Sequence, residues 1–307
     1  MSVLEVRRVY ASPSGGPEAC PDVVVVGAAS RDLASDDPRG WRLGGSATYC
    51  SLTLARLGLM VGCLVGVDSE AAEATELELL ETAGVWVRRV RLLRGPVFEN
   101  LEMDGHRRQR WLSESDQIAA GALPPEWRGA RAWMLVPVAG EVGIEWSEVP
   151  GPGAQVTIGW QGLLREFAPS GWVERVPAAP SDLIARAGLV CASLDDLAAG
   201  SSLPSLRDLA PAASIVLTAG ERGGMALHGR RFTRYFALPA SVVDQTGAGD
   251  VFMAALAAAW QLTGELATSR ALRFAAAAGS CAVEGPGLAG VPTAAEVAAR
   301  LRPSGIR

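Results

Sequence analysis

Short, unbroken apolar runs recur along the chain, each closed by a glycine, an aspartate or a polar turn. The first is Asp22-Val-Val-Val-Val-Gly27, whose β-branched residues without polar alternation predict a strand buried on both faces. Similar runs at Val61–Val67, Ala132–Val136, Gln155–Ile158, Leu189–Ala192 and Ser214–Leu217 predict further strands. Helical stretches lie between them. Ser46 is read as the cap of a helix from about Ala47 to Leu57 that stops at Gly58. A second stretch turns Glu73, Glu76, Glu78 and Glu81 outward and closes at Gly84, and three more cover Val251–Leu262, Thr268–Val283 and Thr293–Leu301. Strands alternating with helices predict an α/β chain built on a mostly parallel sheet covered on both faces. Residues 85–112 break the rhythm: alternation nearer to period two, with the turn Met103-Asp-Gly105, predicts an inserted β-hairpin.

Composition narrows the chemistry. The 307 residues, 49% hydrophobic and 20% charged, suit one large α/β domain. A net charge of −5 gives no nucleic-acid surface, and the arginines at 88, 89, 91, 94, 107 and 108 read as solvated strand edges. The chain contains no lysine, which removes Schiff-base chemistry and any Gly-Lys-Ser/Thr phosphate loop. Its five scattered cysteines lack metal-site spacing, no apolar stretch is long enough to span a bilayer, and a cytoplasmic protein is expected.

The chemistry concentrates in Val242-Val-Asp-Gln-Thr-Gly-Ala-Gly-Asp-Val-Phe252. Gly247 and Gly249 around Ala248 let the backbone turn tightly and aim successive N–H groups at one spot. That spot is a helix N-terminus, where free N–H groups and the macrodipole favour an anion. Asp250 falls in the first helical turn, placed to take the proton from an attacking hydroxyl. Taken alone, the segment is equally a tight turn with an acidic helix start.

Asp244-Gln-Thr-Gly-Ala-Gly-Asp250 resembles the C-terminal signature of the ribokinase-like, or PfkB, carbohydrate kinase family. Gly27-Ala-Ala-Ser-Arg-Asp32, the Gly44–Gly45 pair, Leu64-Val-Gly-Val-Asp68 and Thr218-Ala-Gly-Glu-Arg-Gly223 are similar to its other landmarks, in order along nearly the whole chain. The resemblance implies a three-layer α/β/α domain over residues 21–303, preceded by an extension at 1–20, with a small β lid inserted at about 30–44 and 88–112. It implies transfer of the γ-phosphoryl group of ATP, with Mg²⁺, to a hydroxyl of a sugar-like molecule. Asp250 is then the base, Gly247, Ala248 and Gly249 the anion hole, and Asp32, Gly44 and Gly45 the acceptor contacts. Thr218, Gly220, Gly223 and Thr246 fall to the nucleotide. An inositol or nucleoside acceptor, or a catalytically idle sugar- or nucleotide-binding homologue, are the alternatives, and a monovalent cation and a homodimer stay open. No nucleic acid or membrane partner is expected.

Three departures from the family pattern matter. Tyr49 stands where many members carry a substrate-binding asparagine, so it either bonds substrate through its hydroxyl or packs in the core. Ser193-Leu-Asp-Asp196 stands for the family's Asn-x-x-Glu, leaving Asp196 either a metal-side carboxylate or part of a helix cap. The loop from Asp32 to Gly44 is short, predicting a reduced lid. Gln161 and Arg165 follow a strand's carboxyl end, where α/β sheets bind ligands, although a surface loop reads the same.

Overall fold

The computed structural model describes residues 19–103 and 106–302. The sequence-predicted extension at 1–20 lies almost wholly outside the described residues, as does the tip of the turn at 104–105. Strand β1 (Val23–Ala28) is buried along its whole length, as its unrelieved valines predict. It is the third strand from one edge of a nine-stranded sheet. Chain order brings first two short strands, β2 (Arg31–Leu33) and β3 (Trp41–Leu43), then helix α1 (Ser46–Arg56) and β4 (Val61–Val67). Helix α2 (Thr75–Thr82) leads to β5 (Trp86–Arg91), and β6 (Val97–Met103) and β7 (His106–Ser113) follow. Next come β8 (Ala132–Leu135), β9 (Gln155–Gly159), β10 (Arg165–Phe167), β11 (Val173–Arg175) and helix α3 (Asp182–Arg186). β12 (Leu189–Ser193), helix α4 (Leu203–Leu209), β13 (Ser214–Thr218), β14 (Gly224–His228) and β15 (Arg231–Tyr235) complete the strands. The chain then folds into α5 (Ala248–Thr263), α6 (Ser269–Ala282) and α7 (Ala294–Leu301).

The large sheet runs β15-β14-β13-β12-β9-β8-β1-β4-β5. From β13 to β5 every pairing is parallel, while β14 and β15 add an antiparallel edge. Alternate residues feed two separate cores. Val23 and Val25 pack with α1, α5 and α6 on one face. Val24 and Val26 pack with Trp133, Trp146 and the α3–α4 side on the other. This is the expected three-layer arrangement.

A second sheet, β3-β2-β6-β7, forms a small lid. Its boundary differs from the expectation of 88–112. Residues 86–91 pair parallel with β4 and close the edge of the large sheet instead. Their near-alternation reflects an edge strand whose exposed arginines, Arg88, Arg89 and Arg91, ward off a further strand. The 32–44 loop does reduce to a minimal pair, β2 antiparallel to β3. An antiparallel pair that the sequence pattern does not announce, β10–β11, lies against the lid. Trp111 donates its backbone N–H to Gly171 O at 3.0 Å and its ring N–H to Ala168 O at 2.9 Å, both in the turn of that pair.

Candidate active site

All parallel strands end on one side, and the residues that follow those ends converge. After β1 the chain passes Ser30, whose hydroxyl donates to Asp32 Oδ1 at 2.9 Å. Glu141, fully buried, fixes this end of the sheet. Its carboxylate accepts the N–H groups of Ala28, Val138 and Ala139 at 2.7–3.1 Å, although burial still pushes its pKa up. Next along the edge, Trp160 N–H bonds Cys191 O at 2.8 Å, and Ser193 lies beside Thr218 in register. Gln161, Arg165, Ser193, Asp196 and Thr218 therefore share one rim.

Asp196 is the meeting point of that rim. Its Oδ1 accepts from Gln161 Nε2 at 3.2 Å and from the Arg165 guanidinium at 3.4 Å. Its Oδ2 accepts the Ser193 N–H at 3.2 Å, completing a capping box with the Ser193 hydroxyl. The helix-cap reading of Asp196 holds, and its carboxylate also lies on the rim with Gln161 and Arg165.

The glycine-rich turn is held from below. Asp244 accepts the N–H groups of Thr246 and Gly287, each at 2.9 Å, and these bonds hold its carboxyl below the usual range despite partial burial. Gly247 caps α5 with φ 75°, a left-handed conformation that suits glycine. A Cβ there would stand 2.3 Å from the Tyr49 ring. Tyr49 is 3% exposed. Of the two readings of Tyr49, packing is the one with geometry behind it: its ring fills the space under the turn. The N–H groups of the first turn of α5 have no partner inside the helix. Ala248 is an exception in part, because its N–H reaches Gln245 O at 3.3 Å.

Asp250 follows on α5. Its carboxylate is partly buried and bonded by the Ser46 hydroxyl, and the charges of Asp196, Arg165 and Asp32 reach it. Burial dominates and pushes its pKa up to about 6; the neighbouring carboxylates add to this, while Ser46 and Arg165 pull it down. Ser46 is not the helix cap expected from the sequence. Gly45 (φ 95°) occupies that position, and Ser46, inside the first turn, is free to serve Asp250. Nothing in a Gly-Gly-Ser triplet distinguishes these roles without knowing that α1 packs on α5.

The glycine pair acts through space more than through polar groups. Gly44 N–H and C=O are both bonded to Ser30, and a Cβ at Gly44 would stand 2.5 Å from Asp32 Oδ2. A Cβ at Gly45 would meet Ala28 O at 2.3 Å. Gly44 thus makes room for Asp32 itself, and Gly45 for the chain that leads to it. On the other flank, Gly220 (φ 55°) and Gly223 (φ 84°) shape the turn after Thr218, and a Cβ at Gly223 would strike Tyr235 O at 2.2 Å. The chain leading from β15 to the glycine-rich turn exposes Phe236, Val242 and Val243 at 71%, 58% and 64%. Among the described residues no cluster of three His, Cys, Asp or Glu side chains could hold a metal. A magnesium ion there would have to be carried largely by donor phosphates and water, with Asp196 as one carboxylate on the rim.

Residues 167–294 match the pfkB family carbohydrate kinases. The chain carries a pfkB family domain. No curated protein matches the chain in sequence. Likeness of fold to solved structures extends further than the matched segment. Ribokinase from Arabidopsis thaliana, complexed with ribose and ATP, is similar at TM-score 0.67 and 19% identity, covering 93% of this chain and 100% of its own. A pyrophosphate-dependent ribokinase-family kinase, complexed with a pyrophosphate analog and myo-inositol, gives 0.70 and 17%, covering 86% and 96%. The nucleoside kinase of Methanocaldococcus jannaschii gives 0.69 and 16%, covering 92% and 99%. The fold of this chain is thus the ribokinase fold, which these sugar, inositol and nucleoside kinases share. No helix among its described residues is long and apolar enough to cross a membrane.

Proposed function

We propose that the chain is a phosphotransferase moving the γ-phosphoryl group of MgATP onto a hydroxyl of a sugar-like small molecule. The observation that carries this reading is Asp250, a carboxylate with a pKa of about 6 in the first turn of a helix whose leading N–H groups no helical carbonyl satisfies. A base with that pKa is largely ionised at neutral pH and still takes a proton efficiently in the transition state. The acceptor hydroxyl gives its proton to Asp250 as its oxygen bonds phosphorus, and the bond from phosphorus to the bridging oxygen breaks, leaving ADP. The first-turn N–H groups, including Gly249, face the charge on the transferring oxygens. Asp32, oriented by Ser30 and given space by Gly44, accepts hydrogen bonds from further acceptor hydroxyls. Asp196 would help hold magnesium, which would supply positive charge against the triphosphate.

Relatives of this fold use ATP or pyrophosphate, as the ribose–ATP and pyrophosphate-analog complexes record. Exposed Phe236, Val242 and Val243 favour ATP, because a nucleoside has apolar faces to cover them and pyrophosphate has none. The setting implied is the cytoplasm. The test is ADP release with MgATP over a panel of sugars, inositols and nucleosides. Turnover of at least one acceptor, with Asp32→Ala raising its KM at least about tenfold through lost charge-assisted hydrogen bonds, is the expected outcome. No turnover on any acceptor would exclude the reading.

A further inference from the structure

The cleft holds more negative charge than a phosphate donor tolerates unaided. Asp32 and Asp196 both act on Asp250, and the cation whose field reaches Asp250 is Arg165. Arg31 pairs with Asp68 and Glu70, and Arg42 pairs with Asp36 while its charge reaches Asp244 beneath the glycine-rich turn. The chain has no lysine to supply an ammonium. Arg165 itself is well covered, its side chain 14% exposed. Its contact with Asp196 is 3.4 Å, long for a charge-assisted bond, and it shares Oδ1 with Gln161. An arginine fork matches the oxygens of a phosphoryl group in a way that one oxygen of an already capped carboxylate does not.

We propose that Arg165 binds the terminal phosphoryl group of the donor, exchanging its contact with Asp196 for that group when the donor arrives. The inference rests on the phosphotransferase reading and adds to it the residue that recognises the terminal phosphate. The exchange removes one of the two donors on Asp196 Oδ1, while Gln161 at that oxygen and the Ser193 N–H at Oδ2 keep the carboxylate in place. Two charges are rearranged and no bond is made or broken. Arg165 opens strand β10, whose partner β11 leads on from the segment bonded to the lid at Trp111. A phosphate on Arg165 is therefore coupled to the element that closes the cleft.

Calorimetric binding separates this role from a structural one. With magnesium present, Arg165→Gln should weaken the non-hydrolysable β,γ-imido analogue of ATP at least about tenfold while changing ADP affinity less than about twofold, since only the analogue has the third phosphate. Its single-turnover rate should fall by roughly 10²-fold or more, and millimolar guanidinium should restore part of it. Where Arg165→Gln fails to fold, Arg165→Lys, which keeps the charge and loses the fork, takes the same comparison. Equal weakening of both nucleotides, or of neither, would overturn the proposal. Wild-type protein that binds pyrophosphate and neither nucleotide changes the donor; the contrast then runs between pyrophosphate and orthophosphate, and loss for pyrophosphate alone sustains the role. Wild-type protein that binds none of these overturns the phosphotransferase reading and this inference together. Normal donor binding by a folded Arg165→Gln enzyme that still phosphorylates its acceptor removes this inference alone.

Discussion

Asp250 is held against its own stability. Its native pKa lies above the ordinary 3.8, at about 6, so the folded chain prefers the protonated form. The stability that the neutral carboxyl provides is complete below the ordinary value and is lost as pH rises through about 6. Asparagine stays neutral at every pH. Asp250→Asn should therefore raise thermal stability at pH 8, by at most about 3 kcal/mol, and leave it unchanged near pH 3.5. The same variant should lose about 10²–10⁴-fold in kcat. Melting curves at the two pH values, beside turnover, check both halves. A variant that is inactive yet no more stable at pH 8 would show that burial does not strain this carboxylate. Ser46 tests the same residue from the other side. Its hydroxyl holds the Asp250 pKa down, so Ser46→Ala should move the acid limb of kcat/KM to higher pH. An unmoved limb with lowered activity would mean that Ser46 positions something else.

At the scale of elements, the glycine-rich turn shows how two glycines on either side of one alanine do different work. Gly247 has φ 75° and the Tyr49 ring where its Cβ would go. Gly249 is helical, and a methyl group added to it would meet nothing within 4 Å. Gly249→Ala should thus gain up to about 1 kcal/mol from helix propensity, while its methyl group obstructs the approach of phosphate and lowers the transfer rate. Gly247→Ala should lose stability by about 1–2 kcal/mol from backbone strain alone, with the ring contact adding to it. Circular dichroism melts with single-turnover rates separate the two, and a fully active Gly249→Ala would remove the anion site from that turn. The turn, the helix and Asp250 are legible in the sequence because their signals are local: glycines, an acidic first turn and an alanine-rich run. Tyr49, Ser46 and Arg165 owe their places to contacts between α1, α5 and the rim after β9, and no spacing along one element encodes such contacts. Strand β5 reads as part of the lid for a related reason, because an edge strand with one solvated side alternates like a hairpin.

The whole molecule joins its lid to the rim of the candidate site at two places. One is the chain itself, through β2, β3 and β6. The other is the β10–β11 pair. Phe167 stacks on lid residue Phe98 at 6.2 Å and meets Trp111 edge-on at 5.7 Å. Phe98 packs in turn on Val138 and Ala139, whose N–H groups Glu141 holds at the end of the large sheet. Lid and rim thus share one small aromatic core, separate from the two large ones. Phe167→Ala would empty its middle and, for a partly exposed ring, should cost less than the roughly 3–5 kcal/mol of a fully buried phenylalanine. The effect should be local. Amide exchange should quicken together in 97–113 and 165–175, while β1, β4 and β8, which draw on the large cores, stay protected. Acceptor KM should rise because Asp32 pairs beside Phe98 in the same sheet. Exchange that quickens in 165–175 alone, with the lid strands unchanged, would show the hairpin to be an appendage; joint release would show that the lid moves as one body with the strand that bears Arg165.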